Sequence, residues 1–375
     1  MLRILQVIAT LDRAGAEKQL VRLCLGLDRS RFRPAVCCLT RGGPYAADLR
    51  AAGVPVWILG KRGRFDLAVL GRLCHVIRAF RPHIVHTWLF TANCFGRTAA
   101  LVWRVPVIIG SERAADVWKS LPHRLVDRIL SEFSDAVVVN AQAVGRFAMD
   151  HLGVPESRIV VVYNGLDLAE FDAAAAGPVG ALPPTCRRPI IGVVARLEEQ
   201  KGLVYLLRAF ALLHSPAAQL WIVGDGPLRR TLEGLASALG IAESVFFLGT
   251  RSDVPAILRQ LDLFVLSSLW EGLPNAVMEA MAAARAVVAT AVDGTRELVV
   301  PGETGLLVPP RDSVALARAI EELLNAPARR EAMGNAGRDR IARKFGEEKM
   351  ILAMERLYSQ LAESAIREGR RIDTR

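Results

Sequence analysis

Two glutamates eight residues apart, Glu271 and Glu279, are the residues whose type and spacing point most directly to chemistry. Pro274 suits a first helical position, because its missing N–H would have no helical partner there. The turn before it, at Gly272 and Leu273, can then present backbone N–H groups to an anion, and Glu279 lies a little more than one turn into the helix. A diphosphate at the helix start and a sugar hydroxyl at each carboxylate would fit this arrangement. The spacing alone also occurs by chance in many helical proteins.

The residues around this pair favour a ligand site. An apolar run over 261–266 predicts a strand, which is followed by a loop at Ser267 and Ser268 and then by an alanine-rich helix to residue 284. Open α/β sheets bind ligands in the crevice beyond the carboxyl ends of their strands. The sequence therefore predicts a nucleotide-sugar site at this loop.

Three earlier strand ends carry residues suited to phosphate. Arg196 and Lys201 follow a strand predicted over 190–194, and two cations opposite a helix start would form an anion clamp. The alternative is a solvated pair of loop charges. Gly224 and Gly249 end the next two strands, where glycine permits a tight turn and close approach of a ligand. Each signal is weak by itself, but all of them fall at strand ends and in chain order.

Strand-like and helix-like runs alternate along the chain, which is typical of βαβ units and a mostly parallel sheet. The pattern breaks only over 172–189, where an alanine run, two glycines and four prolines predict a linker. We expect a domain over 1–171, a second domain over 190–345, and a C-terminal helix and tail over 346–375. The last two helices, over 313–325 and 329–365, include a predicted break near Phe345 and Gly346. Two doubly wound halves leave a cleft at their interface.

Composition bounds the protein class. The chain has 375 residues, of which 52% are hydrophobic and 6% aromatic, enough apolar material for two cores. No segment is predicted to cross a membrane, and the first apolar run is too short for a signal peptide. Six scattered cysteines lack a C-x-x-C pair and are expected to be buried free thiols. They are Cys24, Cys37, Cys38, Cys74, Cys94 and Cys186.

The net charge of +10 suggests an anionic partner. The segment 61–81, which begins at Lys61 and ends at Arg81, holds six lysines and arginines against Asp66 alone. We expect peripheral contact between this segment and anionic lipid. Nucleic acid is not expected, since no binding motif or aromatic interleaving accompanies the charge. The alternative is that arginine is simply a common surface residue in this protein.

Taken together, these motifs make the chain resemble glycosyltransferase family 4 (glycosyl transferases group 1) over essentially its whole length. The segments N-G-L-D over 164–167, D-G-T-R-E-L over 293–298 and G-E-T-G-L-L-V over 302–308 also belong to the resemblance. It implies the α/β GT-B fold, in which two Rossmann-like domains with doubly wound parallel sheets face each other across a cleft. It also implies an N-terminal acceptor domain, a C-terminal nucleotide-sugar domain and a C-terminal helix that returns to the N-terminal domain.

The resemblance implies roles for individual residues. Arg196, Lys201 and Glu271 would be catalytic, with the two cations stabilising the departing diphosphate. Glu279 would bind the donor ribose. The other donor-binding positions would be Gly15, Gly224, Gly249, Gly272, Leu273, Pro274 and Asn275. No metal ion or cofactor is expected, because two cations and a helix start can neutralise the diphosphate and the chain has no D-x-D motif.

Four positions depart from the family pattern or extend it. Ala14 precedes Gly15 where the family usually has a second glycine, and a positive φ would be strained there. Glu112 stands near the place where many members carry a histidine, and it could accept a hydrogen bond from a sugar. Arg113 could bind an anionic acceptor. His86, at a strand end in the same cleft, is a third acceptor-side candidate or else a satisfied structural histidine.

The expected function is a retaining transfer of a sugar from a nucleoside-diphosphate sugar to a glycan or lipid-linked acceptor, as a hexosyltransferase of cell-surface polysaccharide synthesis. The expected location is the cytoplasm, with possible association at the inner face of the membrane. A catalytically inactive nucleotide-sugar-binding protein and a GT-B nucleotide-sugar epimerase are the alternatives. A nicotinamide dehydrogenase is disfavoured, because no G-x-G-x-x-G follows the first strand.

Overall fold

The computed structural model describes residues 1–63, 66–183, 188–215 and 217–372. Internal contacts divide the chain into two compact units. The first unit comprises Met1–Gly165 and Glu347–Arg375, and the second comprises Leu166–Gly346. Each unit contains its own parallel sheet with helices on both faces, as the alternating sequence pattern predicts.

The first unit contains a seven-stranded parallel sheet with the strand order β3-β2-β1-β4-β5-β6-β7. The order reverses at β1, which pairs with β2 on one side and β4 on the other. Such a reversal separates the loops after neighbouring strands and creates a crevice at the carboxyl edge. The strands are β1 (Leu2–Thr10), β2 (Phe32–Arg41), β3 (Val56–Ile58), β4 (Ile84–Trp88), β5 (Val107–Glu112), β6 (Ala136–Val139) and β7 (Ile159–Val161).

Seven helices belong to the first unit in the described part of the chain. Its central strands β4 and β5 are buried along their whole length because helices cover both faces of the sheet. The helices are α1 (Gly15–Gly26), α2 (Tyr45–Ala51), α3 (Ala68–Phe80), α4 (Leu89–Val102), α5 (Leu121–Glu132), α6 (Gln142–Leu152) and α15 (Glu347–Arg367).

The second unit contains a six-stranded parallel sheet with the order β10-β9-β8-β11-β12-β13. Its strands are β8 (Ile190–Val194), β9 (Gln219–Val223), β10 (Val245–Gly249), β11 (Leu263–Leu266), β12 (Val287–Thr290) and β13 (Gly305–Val308). Its helices are α7 (Leu168–Ala175), α8 (Leu203–Ala211), α9 (Arg229–Ala238), α10 (Val254–Leu258), α11 (Asn275–Ala282), α12 (Thr295–Leu298), α13 (Ser313–Leu324) and α14 (Pro327–Lys344).

The C-terminal helix α15 completes the first unit, as expected. Tyr358 on this helix is fully buried, and its hydroxyl lies 2.8 Å from Nδ1 of His86 and accepts a 2.9 Å hydrogen bond from Gln6. Met350 and Met354 join the same core. The break predicted near Phe345 and Gly346 is also confirmed, since α14 ends at Lys344 and α15 begins at Glu347.

The start of the predicted linker is helical. Residues 172–175 complete α7, where the carboxylate of Asp172 pairs with Arg338 at 2.5 Å and with Arg259 at 2.9 Å. These ion pairs fix residues 166–175 to the second unit, so the observed division falls at residue 165 rather than 171. Residues 184–187 of the predicted linker, which include Cys186, lie outside the described residues.

The remaining composition-based expectations are met in part. Cys24, Cys37 and Cys38 are buried free thiols, and Cys74 and Cys94 are half-buried free thiols. Within the ranges that the structure describes, no helix combines the length and apolar character needed to cross a lipid bilayer.

Candidate nucleotide-sugar site

The loops after three neighbouring strands of the second unit bond to one another. The N–H of Ala195 donates to Val223 at 2.9 Å, and the N–H of Leu197 donates to Asp225 at 3.0 Å. The N–H of Gly224 in turn donates to the carbonyl of Gly249 at 2.8 Å. The loops that follow β8, β9 and β10 therefore form one continuous rim at the carboxyl edge of the sheet.

Gly202 and Gly224 of this rim combine a positive φ with a close backbone contact. Gly202 has a φ of +57°, and a Cβ there would lie 2.2 Å from the carbonyl oxygen of Ser267. Gly224 has a φ of +130°, and a Cβ there would lie 2.0 Å from the carbonyl oxygen of Ala195. Neither approach is possible with a side chain. Gly224 therefore serves loop-to-loop contact, and the close approach of a ligand at this glycine stays a prediction.

Lys201 and Glu271 meet across 70 residues of sequence. The Nζ of Lys201 lies 2.6 Å from Oε1 of Glu271, and the hydroxyl of Ser268 donates to the same oxygen at 2.7 Å. The Glu271 side chain is 6% exposed and that of Lys201 is 19% exposed, so their charges interact more strongly than they would in open solvent. Within the described part of the chain, Oε2 of Glu271 has no hydrogen-bond partner, which leaves it available to a hydroxyl.

Backbone contacts hold this ion pair in place. The N–H of Glu271 donates to Asp293 at 2.9 Å, and the side chain of Gln200 donates to the carbonyl of Trp270 at 3.0 Å. Burial raises the pKa of Asp293, and the nearby charge of Glu271 adds to the rise. Asp293, Gln200 and Ser268 were given no role in the sequence analysis, although Asp293 opens one of the family segments.

The helix after this loop begins one residue later than expected. Pro274 has extended backbone (φ −70°, ψ 112°) and precedes α11, whose first residue is Asn275. Proline still fits, because its N–H is not needed at a helix start. Gly272 and Leu273 are buried in the turn, and Glu279 is half-buried in the second turn of the helix. Glu271 and Glu279 therefore flank the positive end of the α11 dipole.

Arg196 stands apart from this cluster. Its side chain is 67% exposed and pairs with Glu198. Among the described residues, no hydrogen bond or ion pair joins Arg196 to Lys201 or Glu271. The structure therefore brings Lys201 and Glu271 together but does not bring Arg196 to them.

In the first unit, the glycine-rich loop is free of the expected strain. Ala14 has extended backbone (φ −127°, ψ 173°) and precedes α1, whose first residue is Gly15. Any residue adopts such a conformation, so the replacement of glycine by Ala14 costs no backbone strain. Gly15 is exposed at the helix start, on the carboxyl side of β1.

His86 is a buried structural histidine. Its Nδ1 lies 2.8 Å from the hydroxyl of Tyr358 and its Nε2 lies 2.7 Å from the hydroxyl of Ser111. Burial, with a smaller effect from the charge of Arg113, lowers the pKa of His86 to about 3. Both ring nitrogens are used within the protein, so a substrate contact would require one of these hydrogen bonds to break.

Glu112 belongs to a buried network of charges. Its Oε2 lies 2.8 Å from Nζ of Lys119, and its Oε1 accepts from Asn93 at 2.9 Å. Lys119 also bonds to Asp127 at 2.9 Å, and Asp127 pairs with Arg97 at 3.0 Å. Burial raises the pKa of Glu112 to about 7. Both carboxylate oxygens are occupied, so the structure does not offer Glu112 to a sugar as the sequence analysis supposed.

Arg113 is the acceptor-side candidate with unused hydrogen-bonding capacity. Its guanidinium lies 4.9 Å from the ring centre of Trp88 and donates to Asn164. Its Nε has no hydrogen-bond partner in the described part of the chain, and the same holds for Oδ1 of Asn140, whose amide donates to the carbonyl of Arg113. Burial lowers the pKa of Arg113 to about 9. A cation without a paired carboxylate favours an anionic ligand.

The described residues include side chains of the kinds that can bind a metal ion. Within the described ranges, no group of three or more histidine, cysteine, aspartate or glutamate side chains is placed to hold a metal ion. Independence from metal ions stays a prediction.

Two family models match the chain. Residues 183–340 match the model described as glycosyl transferases group 1, and residues 13–170 match glycosyltransferase family 4. Among curated relatives, a lipopolysaccharide core biosynthesis mannosyltransferase, LpcC of Rhizobium leguminosarum bv. viciae, is 31% identical over 64% of this chain and 68% of its own length. An alpha-maltose-1-phosphate synthase of Mycolicibacterium smegmatis is 30% identical over 70% of this chain and 75% of its own length.

Other curated relatives are matched over a smaller part of their length. A lipopolysaccharide core biosynthesis glycosyltransferase, LpsE of Rhizobium meliloti, is 30% identical over 62% of this chain, and the chain spans 65% of that relative.

The solved structure of Anabaena Alr3699/HepE in complex with UDP and glucose superposes with a TM-score of 0.84 at 21% identity, over 96% of this chain and all of that one. The chain has the GT-B fold and belongs to the group 1 glycosyltransferases of family 4.

Proposed function

We propose that the protein is a retaining glycosyltransferase that moves a hexosyl group from a nucleoside-diphosphate sugar to a glycan or lipid-linked acceptor in cell-surface polysaccharide synthesis. The observation that carries this proposal is the ion pair of the half-buried Lys201 with the buried Glu271, 2.6 Å apart just before α11. A cation and a helix start together suit a diphosphate, and a carboxylate oxygen without a partner among the described residues suits a sugar hydroxyl.

The residues divide the chemical work in the following way. Lys201 and the positive end of α11 neutralise the charge that develops on the diphosphate when the glycosidic bond breaks. Glu271 orients the donor sugar through Oε2, and its position is fixed by Ser268 and Asp293. Glu279 accepts hydrogen bonds from the ribose. In our proposal, Arg196 must exchange its partner Glu198 for the diphosphate before it can contribute.

The acceptor side is proposed to involve Arg113 of the first unit. Within the ranges that the structure describes, its guanidinium has no carboxylate partner, which fits a phosphate-bearing acceptor. Lipopolysaccharide core biosynthesis is named for two of the relatives. Such an acceptor is consistent with work at the inner face of the membrane, where the basic segment over 61–81 would meet anionic lipid. Arg64 in that segment lies outside the described residues.

A panel of nucleotide sugars tests the function. UDP-glucose is the first donor to try, because HepE has been crystallised with it. The measured quantities are the shift in melting temperature and the release of nucleoside diphosphate, first without and then with membrane extract as acceptor. One donor should stabilise the protein and be turned over, and both effects should be lost in Glu279→Gln and Lys201→Met. Glu331→Gln and Arg208→Ala are matched controls, since both side chains are exposed on other helices.

The same experiment separates the alternatives. Stabilisation by a donor without release in the presence of membrane extract would support a binding-only protein. Conversion of the donor sugar to an epimer without any acceptor would support an epimerase. If a product forms, NMR of its anomeric proton tests retention, and an unchanged rate in excess EDTA tests the expected independence from metal ions.

A further inference from the structure

Helix α5 presents a line of large apolar side chains to solvent. Leu121, Leu125, Ile129 and Phe133 are 79%, 57%, 49% and 59% exposed. They are spaced four residues apart, so they lie on one face of the helix and of the turn that ends it. We call these four residues the α5 stripe. Single exposed apolar residues are ordinary on protein surfaces, but a contiguous line of four marks an interaction surface.

The opposite face of α5 is anchored, so this stripe cannot turn inward. Asp127, Leu130 and Ser131 are buried against the first unit. Asp127 bonds to Lys119 at 2.9 Å and to Arg97 at 3.0 Å, and none of these three side chains has more than 2% of its surface exposed. Rotation of the helix would pull these charges out of their partners, which is costly for buried ions. The apolar face is therefore held outward by the fold.

Aromatic and cationic side chains border the stripe. Trp118 is 52% exposed just before α5, with its ring 5.7 Å from Phe90 and 5.5 Å from His123. Arg128 is exposed on the helix and Arg124 is half-buried. A tryptophan beside an apolar face with arginines along its flank is the composition of helices that lie in the plane of a membrane surface.

We propose that the α5 stripe is a membrane-docking surface that lies in the interface of an anionic lipid bilayer. The four side chains and Trp118 enter the boundary between headgroups and acyl chains, while Arg124 and Arg128 contact lipid phosphates. The proposal differs from the contact expected through the segment 61–81, because it is apolar and lies on a different helix. It extends the proposed function, but its readout does not require transferase activity.

Charge favours lipid over a second copy of the chain. The protein carries a net charge of +10, so two copies repel each other whereas an anionic bilayer attracts each one. The shape of the stripe agrees with this, since a single line of side chains along one helix matches a planar interface. In the sequence, α5 comes after β5, and Arg113 is the first residue beyond the carboxyl end of that strand. Docking would bring the proposed acceptor side of this unit close to the bilayer.

Vesicle flotation of the full chain tests the proposal. The vesicles contain phosphatidylcholine alone or phosphatidylcholine with about 30% phosphatidylglycerol, so that only the second kind carries the negative surface potential that attracts basic segments. Wild-type protein should float with the anionic vesicles and much less with the neutral ones. Leu125→Ser/Ile129→Ser should lower the partition coefficient at least about tenfold, because the apolar burial is lost. On binding, tryptophan fluorescence should shift to shorter wavelength in the wild type but not in Leu125→Ser/Ile129→Ser.

Two variants serve as controls. Leu212→Ser/Val314→Ser removes two exposed apolar side chains of the second unit, 48% and 50% exposed, and should float like the wild type. Lys61→Glu/Arg78→Glu reverses charge in the segment 61–81. If this variant lost most of its vesicle binding while Leu125→Ser/Ile129→Ser lost none, the membrane contact would belong to the segment 61–81 and the proposal would be overturned. A dimer without vesicles that Leu125→Ser/Ile129→Ser converts to monomer would instead assign the stripe to self-association. Donor-induced thermal shifts, unchanged in every variant, show that the site itself is intact.

Discussion

At the scale of single residues, the candidate site rests on one ion pair with unequal surroundings. Lys201 has one carboxylate partner and one fifth of its side chain exposed, whereas Glu271 is held by Lys201, Ser268 and, through its backbone, Asp293. The carboxylate is therefore fixed and the ammonium is the mobile member. A lysine can shift from Glu271 toward an incoming diphosphate without disturbing the loop, because its flexible stem carries a point charge.

Replacement of Lys201 by methionine tests this assignment. The variant keeps an unbranched side chain of similar length but removes the charge, so kcat for sugar transfer should fall about 100- to 1,000-fold, as for loss of one preorganised transition-state contact. Steady-state kinetics with the identified donor and acceptor measure the change. Arg208→Met removes a surface cation from the same unit and should leave kcat unchanged. A fall of less than about threefold in Lys201→Met would remove Lys201 from the catalytic residues.

Glu112 gives a pH-dependent prediction. Its pKa is raised to about 7, so the folded protein binds a proton at Glu112 that the unfolded chain has already released. The stability contributed by this group is present below about pH 4.5 and is lost as the pH rises through about 7. The free energy of unfolding of the wild type should therefore fall relative to that of Glu112→Gln between pH 5 and pH 7, as measured by urea denaturation. Glu132→Gln, at an exposed position on α5, should follow the wild type at every pH.

Sequence patterns identified some of these residues and missed their partners. Lys201 and Glu271 were recognised because each follows a strand end, and local patterns report strand ends. Ser268, Asp293 and Lys119 were missed, since a hydrogen bond to a residue 22 positions away or a buried charge in a loop leaves no periodic signal. The same limit explains why the sequence suggested a sugar-binding role for Glu112, since its partners Asn93 and Lys119 could be found only in three dimensions.

At the scale of elements, helix α14 packs against the C-terminal end of α11 and positions it. Gly334 on α14 lies so close to the end of α11 that a Cβ there would be 2.1 Å from the carbonyl oxygen of Ala284. Arg338, one turn later, donates to the carbonyl of Ala282 and pairs with Asp172. The orientation of α11, and with it the place of Glu279, depends on this close contact.

Gly334→Ala should therefore weaken both stability and donor binding. The added methyl group must displace α14 or α11, with a cost of about 1–3 kcal/mol in the free energy of unfolding. The affinity for the donor should fall as well, because α11 carries Glu279. Gly234→Ala is the matched control, since a Cβ at this exposed position of α9 meets nothing within 4 Å. Because alanine favours the helix, this variant should raise the free energy of unfolding by at most about 1 kcal/mol. Equal stability of the two variants would contradict the proposed role of the α14 contact.

Element prediction from sequence succeeded where apolar periodicity was strong. The strands predicted over 190–194 and 261–266 were confirmed as β8 and β11, because buried parallel strands are mostly apolar runs. Helices α4, α5, α6, α7 and α12 were not predicted. In α5 the apolar stripe faces solvent and the inner face holds Asp127 and Ser131, so its pattern does not report burial. The helix start at Asn275 was missed by one residue, a difference within the usual uncertainty of helix ends.

At the scale of the whole molecule, the chain order and the structural units do not coincide. The last helix, α15, belongs to the first unit, where Met350, Met354 and Tyr358 complete the core around β1 and β4. The hydroxyl of Tyr358 also satisfies His86 and Gln6, two buried polar side chains that would otherwise lose a partner. The second unit closes its own core without α15.

A chain that ends at residue 346 should consequently lose one unit and keep the other. Removal of α15 exposes the apolar core of the first unit and leaves His86 and Gln6 without their buried partner, each at about 1–3 kcal/mol. Calorimetry should show that the transition of the first unit is lost or lowered by tens of degrees. A second transition, raised by UDP if the candidate site binds the donor, should persist, because a ligand stabilises the unit that binds it. A chain that ends at Arg367, with α15 intact, should keep both transitions. If the shorter chain also kept both at unchanged temperatures, α15 would be an accessory to the first unit rather than a part of its core.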